Sequence, residues 1–444
     1  MLPSLRFFLG LTIAAMNFSL VSLVQAADVV LFKDARVFDG TSDRLTKPQD
    51  VLIIGHKISD IGNNLAPPKG ATIINAKGLT LSPGFIDAHT HIMLQLTYLE
   101  GITTDQFYWA YRAVQSANTF LMNGFTTVRD MSGNSFSLKT AIDMGTVIGP
   151  RIFPSGPMIS QTSGHSDHRF DSHRNRLLDD DPGVFMRYEM VMVADGETEV
   201  LRATREALRR RASQIKISVG GGVSSASDPI DVIQYTEKEM RAAVQAASDY
   251  GTYVAAHAYT DAAIRRAIDA GVRTIEHGNL ASAETLRYMQ SKDVWLSPQV
   301  IVFSEYPASL NPAQKLKMDI VSNGLDNLFT AAKEVGFENI AFGTDIVMDP
   351  KLLSGMNREF THRLKWFTPL EIMRQATSKG GQVLALSGKR AAYNGKLGVI
   401  EKDALADILL IRGNPLEDIS ILTKPKENIA LIMKDGKILK NTIK

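Results

Sequence analysis

Cysteine is missing altogether from the 444 residues. That excludes disulfide staples, thiol nucleophiles and thiolate metal sites together. A fold of this size must rest on its core and on any metal held by nitrogen and oxygen. A surplus charge of either sign is missing too: Lys+Arg 49 stand against Asp+Glu 47, a formal +2, and no basic stripe suggests a nucleic-acid partner. No Gly-x-Ser-x-Gly elbow occurs, which leaves a serine hydrolase unsupported. The nearest approach to a phosphate loop, "GQVLALSGKR", has the wrong spacing and puts Arg390 where Ser or Thr is needed.

What is present begins with an apolar leader. Arg6 precedes "FFLGLTIAAMNFSLVSLV", and "VQA" follows with small residues at the positions a signal peptidase reads. Residues 1–26 read as a secretory signal cleaved after Ala26, giving a periplasmic or secreted product. An uncleaved anchor is the alternative, since the apolar run approaches spanning length. Asn17 and the small-residue exit argue against it, so no stable membrane insertion is expected after cleavage.

Both ends of the remaining chain have a strand-and-turn texture, as in "DVLIIGHKISDIG" and "NIALIMKDGKILKN". Residues 27–82 and 392–444 are therefore expected to form one small composite β-sandwich domain. Between them, residues 83–391 alternate strand-like runs with amphipathic helical stretches. The strand candidates are "GFIDAHTH", "FTTVRDM", "RIFPSG", "QIKISV", "TYVAAHA", "RTIEHG", "VWLSPQ" and "NIAFGTD". Helix starts are marked by Thr236 with Glu239 and by Thr368-Pro369 with Glu371. Eight such units fit a (β/α)8 TIM barrel, an α/β fold whose chemistry sits at the C-terminal ends of its strands. A doubly wound sheet is the competing architecture, but no glycine fingerprint follows the first strand.

Side chains alternate across a strand, so parity assigns faces. In "QIKISV", Ile215, Ile217 and Val219 suit the helix layer, which sends Lys216 into the barrel. His89 and His91 share a face with Phe85 and Asp87; His257 shares one with Tyr253, Ala255 and Tyr259. His277 and Asp345 end their strands. Each alone also reads as a capped strand end, a hydrogen-bonded core histidine or a helix cap. Lys216 is harder to dismiss, because an unpaired ammonium inside a barrel must lose its proton or find a partner. His56, His168, His173 and His362 read as surface residues. The polar segment from Gln161 to Thr198 reads as a lid or wall at the barrel mouth.

"SPGFIDAHTH", "GFTTVRD", Lys216, "AAHAYT", "IEHG", "FGTD" and the end strand "GVIEKDALADILLI" together resemble the amidohydrolase superfamily over nearly the whole mature chain. "PSGPMISQTSGHSDHR", "KISVGGGVSS" and "YTEKEMRAAVQAA" are similar to the branch of imidazolonepropionase-related Xaa-Pro dipeptidases, carboxypeptidase-like amidases and ochratoxin-hydrolysing amidohydrolases. The resemblance implies two divalent metal ions, with zinc expected. His89, His91 and Asp345 would hold one and His257 and His277 the other, with Lys216 bridging as N6-carboxylysine. It further implies a metal-activated hydroxide that attacks an amide carbonyl, with Asp345 carrying the proton to the leaving nitrogen. His165 would lie near the carbonyl and Tyr259 near the substrate's polar end; His165 reads equally as a plain loop residue.

The substrate implied is a small N-acyl amino acid or dipeptide, a class that includes ochratoxin A, cleaved to phenylalanine and ochratoxin alpha. Related enzymes often assemble, so a homo-oligomer is expected. A cyclic-amide hydrolase or deaminase on the same scaffold is one alternative, although deaminating relatives commonly lack the bridging lysine. A non-catalytic metal- or peptide-binding relative is another, since fold alone does not give function.

Overall fold

The computed structural model describes residues 29–178, 181–225, 228–306 and 310–443. The expected signal segment, residues 1–26, lies outside the described residues.

Apolar residues on alternate positions pull the two chain ends into one continuous eight-stranded sheet that folds into two layers. Strand Val29–Val37 bends at Asp34, whose φ of 57° accompanies a bulge between Phe32 and Ala35. Its first half pairs with Gln49–Ile54 and Thr72–Asn75, its last half with Leu79–Pro83. Leu79–Pro83 then takes the far end of the chain as its antiparallel neighbour, with Leu81 opposite Leu410 of Ile408–Arg412. Ile429–Lys434 and Lys437–Asn441 complete that edge. Phe32, Val51, Ile53, Leu81, Ile408, Leu410 and Leu431 are fully buried between the layers, where each such side chain stabilises by roughly 1.5–3 kcal/mol relative to exposure.

The middle of the chain forms the expected (β/α)8 barrel. Its strands are β1 (Phe85–Thr90), β2 (Phe125–Asp130), β3 (Arg151–Pro154), β4 (Ile215–Ser218), β5 (Val254–Thr260), β6 (Thr274–Leu280) and β7 (Trp295–Ser297). β1, β2 and β3 pair in parallel, as do β4 to β7. The seam between β3 and β4 is held by Ser213 N–H donating to Pro154 O and by Gln214 Nε2 donating to Phe153 O, both at 2.8 Å.

The eighth stave departs from a regular strand. Residues 340–345 run between β7 and β1, yet only Ile340 forms a ladder bridge, to Leu296. The segment is fastened instead by Ala88 N–H to Phe342 O and Asp345 N–H to His89 O, each 2.8 Å. Asp87 replaces part of the ladder, its carboxylate accepting from Thr344 N–H at 3.1 Å and from the Thr344 hydroxyl at 2.6 Å.

Parity holds where it was drawn. Ile215, Ile217, Val254 and Ala256 pack outward with Met240, Ala243, Ala246 and Ala247 of helix Glu237–Asp249. That helix opens on the capping box of Thr236 and Glu239, and Pro369–Arg374 opens on that of Thr368 and Glu371. The long connection after β3 holds two short strands the periodicity did not reveal, Met158–Ser160 and Val191–Val193, which pair with each other and bring Ile159 beside Ile217. Among the described residues, no helix is long and apolar enough to cross a membrane.

Candidate metal centre

Parallel strands open at one mouth, and the ionisable residues of β1, β4, β5, β6 and the eighth stave all arrive there. His91 Nε2 lies 2.8 Å and His89 Nε2 3.3 Å from Asp345 Oδ1, while His277 Nδ1 lies 3.6 Å from Asp345 Oδ2. Ligand atoms of His89, His277 and Asp345 fall within 4.8 Å of one another, close enough to hold a metal ion. His257 joins through its ring, 4.6 Å centroid to centroid from His277, and His165 stacks on His257 at 4.1 Å and 16°. Tyr259 stands 4.9 Å from the His257 ring and 5.4 Å from the His277 ring. Lys216 is buried among them, its charge acting on His89, His257, His277 and Asp345. The fold thus brings all eight singled-out side chains together.

Their partners dictate which nitrogen of each ring carries the proton. Glu276 can only accept when ionised, so His89 Nδ1–H donates to it at 2.7 Å and Nε2 keeps its lone pair. His257 Nε2–H donates to the Gly221 carbonyl at 3.0 Å, leaving Nδ1 basic. Gln299 donates its own N–H to Ser297 O at 2.5 Å, so its Oε1 accepts from His277 Nδ1–H at 2.7 Å. Burial, with the Lys216 charge next in weight, pushes His89 and His277 well below the ordinary imidazole value, and burial does the same to His257. Neutral rings with a lone pair turned inward are the form that binds metals. Burial also draws Lys216 down to about 8, against the pull of the Glu276 and Asp345 carboxylates.

Two residues at the same place carry backbone strain. His277 and Asp345 sit at φ 75° and 54°, left-handed conformations that cost a non-glycine residue about 1 kcal/mol or more. Asp345 N–H donating to His89 O and His277 Nδ1–H donating to Gln299 Oε1 hold them there.

Beneath the mouth lies a layer that strand periodicity alone did not single out. Arg129 Nη2 donates to both oxygens of Glu276 at 2.8 Å, Nη1 to Tyr253 Oη at 2.9 Å, and Nε to Ala88 O at 2.5 Å. Arg129 and Glu276 have side-chain exposures of 0%, so each depends on the other for compensation. Glu276 is thereby oriented to fix the His89 tautomer. Arg129→Met is expected to lose about 3–5 kcal/mol of stability, because it strands a buried carboxylate. A denaturation midpoint equal to the parent's would contradict this.

The long connection after β3 folds over one side of the mouth. His165 N–H donates to Gln234 Oε1 at 3.0 Å, and its Nδ1 lies 3.0 Å from Ser225 Oγ. A Cβ at position 222 would fall 1.7 Å from His165 Nδ1, so only glycine lets the ring in. Of the four histidines read as surface residues, His56 is exposed, whereas His168, His173 and His362 are half-buried. His168 packs against Phe185 with centroids 5.0 Å apart and, with Arg169, Phe170 and His173, lines a cavity of about 190 Å³ under this segment. His362 is half-buried against Glu305, at 2.7 Å. A polar stretch that folds back on itself covers side chains that composition alone assigns to solvent.

Comparison with known proteins places this geometry. The ochratoxinase of Aspergillus niger is 29% identical over 407 residues, 88% of this chain and 82% of that protein. Its crystal structure aligns with a TM-score of 0.81 and 26% identity, over 94% of this chain and 96% of its own. A prolidase crystallised with N-methylphosphonate-L-proline is 32% identical, with a TM-score of 0.86 over 93% of this chain and 100% of its own. A Xaa-Pro dipeptidase with methionine bound in its active site is 30% identical, with a TM-score of 0.80 over the same shares, 93% and 100%. Since the amidohydrolase family model matches residues 80–439, a span that takes in the whole barrel, the chain belongs to the amidohydrolase family and is a hydrolase of amide bonds.

Proposed function

We propose that this protein is an exported, metal-dependent amidohydrolase that cleaves the amide bond of a small N-acyl amino acid or dipeptide carrying a free carboxylate. One observation carries the reading: neutral imidazoles, a carboxylate and a buried lysine converge on one barrel mouth, where His89 Nε2 and His91 Nδ1 are buried without a hydrogen-bond partner. Orphaned nitrogens of this kind cost about 1–3 kcal/mol each unless something accepts their lone pairs, and divalent cations suit a histidine and carboxylate set.

His89, His91 and Asp345 would hold one ion and His257 and His277 the other, with carboxylated Lys216 between them. Zinc is the expected metal. Such ions, when bound, supply an activated water and polarise a carbonyl. Asp345 takes the water's proton on its carboxylate and returns it to the departing amide nitrogen. Tyr259, kept protonated by burial, donates its O–H to the polar end of the substrate. His165 faces the scissile carbonyl. Residues 161–178 and 181–198 would wall the site from bulk water.

Relatives named for Xaa-Pro dipeptides and for ochratoxin support the substrate class. Ochratoxin A, opened to phenylalanine and ochratoxin alpha, belongs to the same panel. Export by residues 1–26 and a homo-oligomeric state are part of the proposal.

Treatment with a chelator is expected to abolish hydrolysis and added zinc to restore it. A metal-stripped preparation, verified by elemental analysis, that kept its full rate would refute the scheme. Turnover of lactams or hydantoins, with none of Xaa-Pro dipeptides, acyl amino acids or ochratoxin A, would shift the assignment to a cyclic-amide hydrolase.

A further inference from the structure

The loop after β4 shapes two of the histidines, and something must shape the loop. Its Gly221 carbonyl takes the His257 Nε2–H, its Gly222 backbone abuts the His165 ring, and its Ser225 hydroxyl meets His165 Nδ1. Among the described residues its pairing is an isolated bridge between Gly220 and Ile233, flanked by Gln234 N–H to Val219 O at 2.8 Å and Gly221 N–H to Val232 O at 3.3 Å.

Helix Pro312–Glu334, the long helix that follows β7, reaches into this loop. Lys317 Nζ donates to the carbonyls of Gly222 and Ser225 at 2.6 Å and of Asp228 at 3.1 Å. Gln314 Nε2 donates to Ser224 O at 2.7 Å. Asp228, with a side-chain exposure of 0%, lies 3.8 Å from Lys317 Nζ. Its carboxylate accepts from Gly222 N–H at 2.7 Å, from Gln234 Nε2 at 3.2 Å and from the Ser225 hydroxyl. Three carbonyl dipoles aimed at one point repel one another unless a cation sits there. The loop's shape therefore depends on that ammonium.

The same helix face continues to β6. Positions 314, 317, 321 and 324 follow the i, i+3, i+7, i+10 spacing of one stripe. Val321 O accepts from Asn279 Nδ2 at 3.0 Å, and Gly324 approaches so closely that a Cβ there would lie 2.4 Å from Asn279 O. Asn279 stands two residues beyond the strained His277.

We propose that this helix face is the common reference that sets His165, His257 and His277 relative to one another, with Lys317 as its positioning residue. The proposal rests on the metal-dependent reading for its kinetic consequence, though not for its structural one.

The test uses the full chain and compares Lys317→Met and Lys317→Arg with the parent. In zinc-loaded protein, Lys317→Met is expected to lower kcat about 10- to 100-fold, the range for loss of a group that orients metal ligands, with KM little changed. Its zinc content after dialysis should fall while Lys317→Arg keeps most of both properties. In metal-free protein, hydrogen exchange should speed up in peptides covering 219–234 and 274–281 of Lys317→Met. That arm stands even if the parent binds no metal, an outcome that would sink the proposed function alone. Should Lys317→Met fail to fold, Gln314→Leu is expected to show smaller changes in the same direction. A Lys317→Met protein of lower melting temperature, with parental kcat, zinc retention and exchange in both peptides, would overturn the proposal; so would an unchanged Gln314→Leu if that variant has to serve.

Discussion

Lys216→Ala is expected to lose at least the roughly 10²–10³-fold in turnover that removal of one preorganised electrostatic group costs. The side chain is buried at 1% exposure beside His89, His257, His277 and Asp345, where a charged ammonium would repel the cations of the proposed site. Burial lowers its affinity for a proton, and in the proposed scheme its free amine would attack carbon dioxide. A bond would form from Nζ to the carbon, one amine proton would leave, and the product would be a carbamate anion. An alanine offers no anion between the two halves of the site. Acetate or propionate, diffusing into the space vacated, should restore part of the lost rate, whereas Lys216→Arg should restore none. An alanine variant with more than about a tenth of the parental rate would contradict the bridging role.

Asp345→Asn isolates the second large effect. Asparagine tolerates the left-handed conformation that Asp345 adopts at φ 54°, so the backbone and the bond to His89 O should survive. What disappears is the negative charge, 2.8 Å from His91 Nε2 and 3.3 Å from His89 Nε2, together with the ability to pick up a proton. A general acid–base contributes about 10²–10⁴-fold, and kcat should drop by that order while the melting temperature moves little. If kcat stayed near the parent's, the proton would be travelling elsewhere.

Much of this site was legible in the sequence because strand parity is a strict rule. Lys216 could be sent into the barrel from the alternation of six residues, and His89 with His91 from their spacing. The supporting layer obeys no local rule. Arg129 and Glu276 are 147 positions apart and look like ordinary strand residues until β2 and β6 face each other across the barrel. Gln299 selects the His277 tautomer from a loop end with no recognisable motif. Lys317 lies on an amphipathic helix, where a lysine ordinarily reads as a solvated one. The eighth stave reads as strand-like in the sequence, but its fastening by the Asp87 side chain belongs to tertiary structure.

The sheet shared by the two ends has a consequence for the order of folding. Leu79–Pro83 waits for Ile408–Arg412 as its neighbour, so one flank of that early strand stays bare until more than three hundred further residues have been made. Pairing at such separation pays its loop-closure entropy late and folds slowly. A chain interrupted before that point presents an open, apolar edge of the kind that recruits other strands. The fold thus acts as its own quality check, with the late strand Ile408–Arg412 capping the early strand Leu79–Pro83.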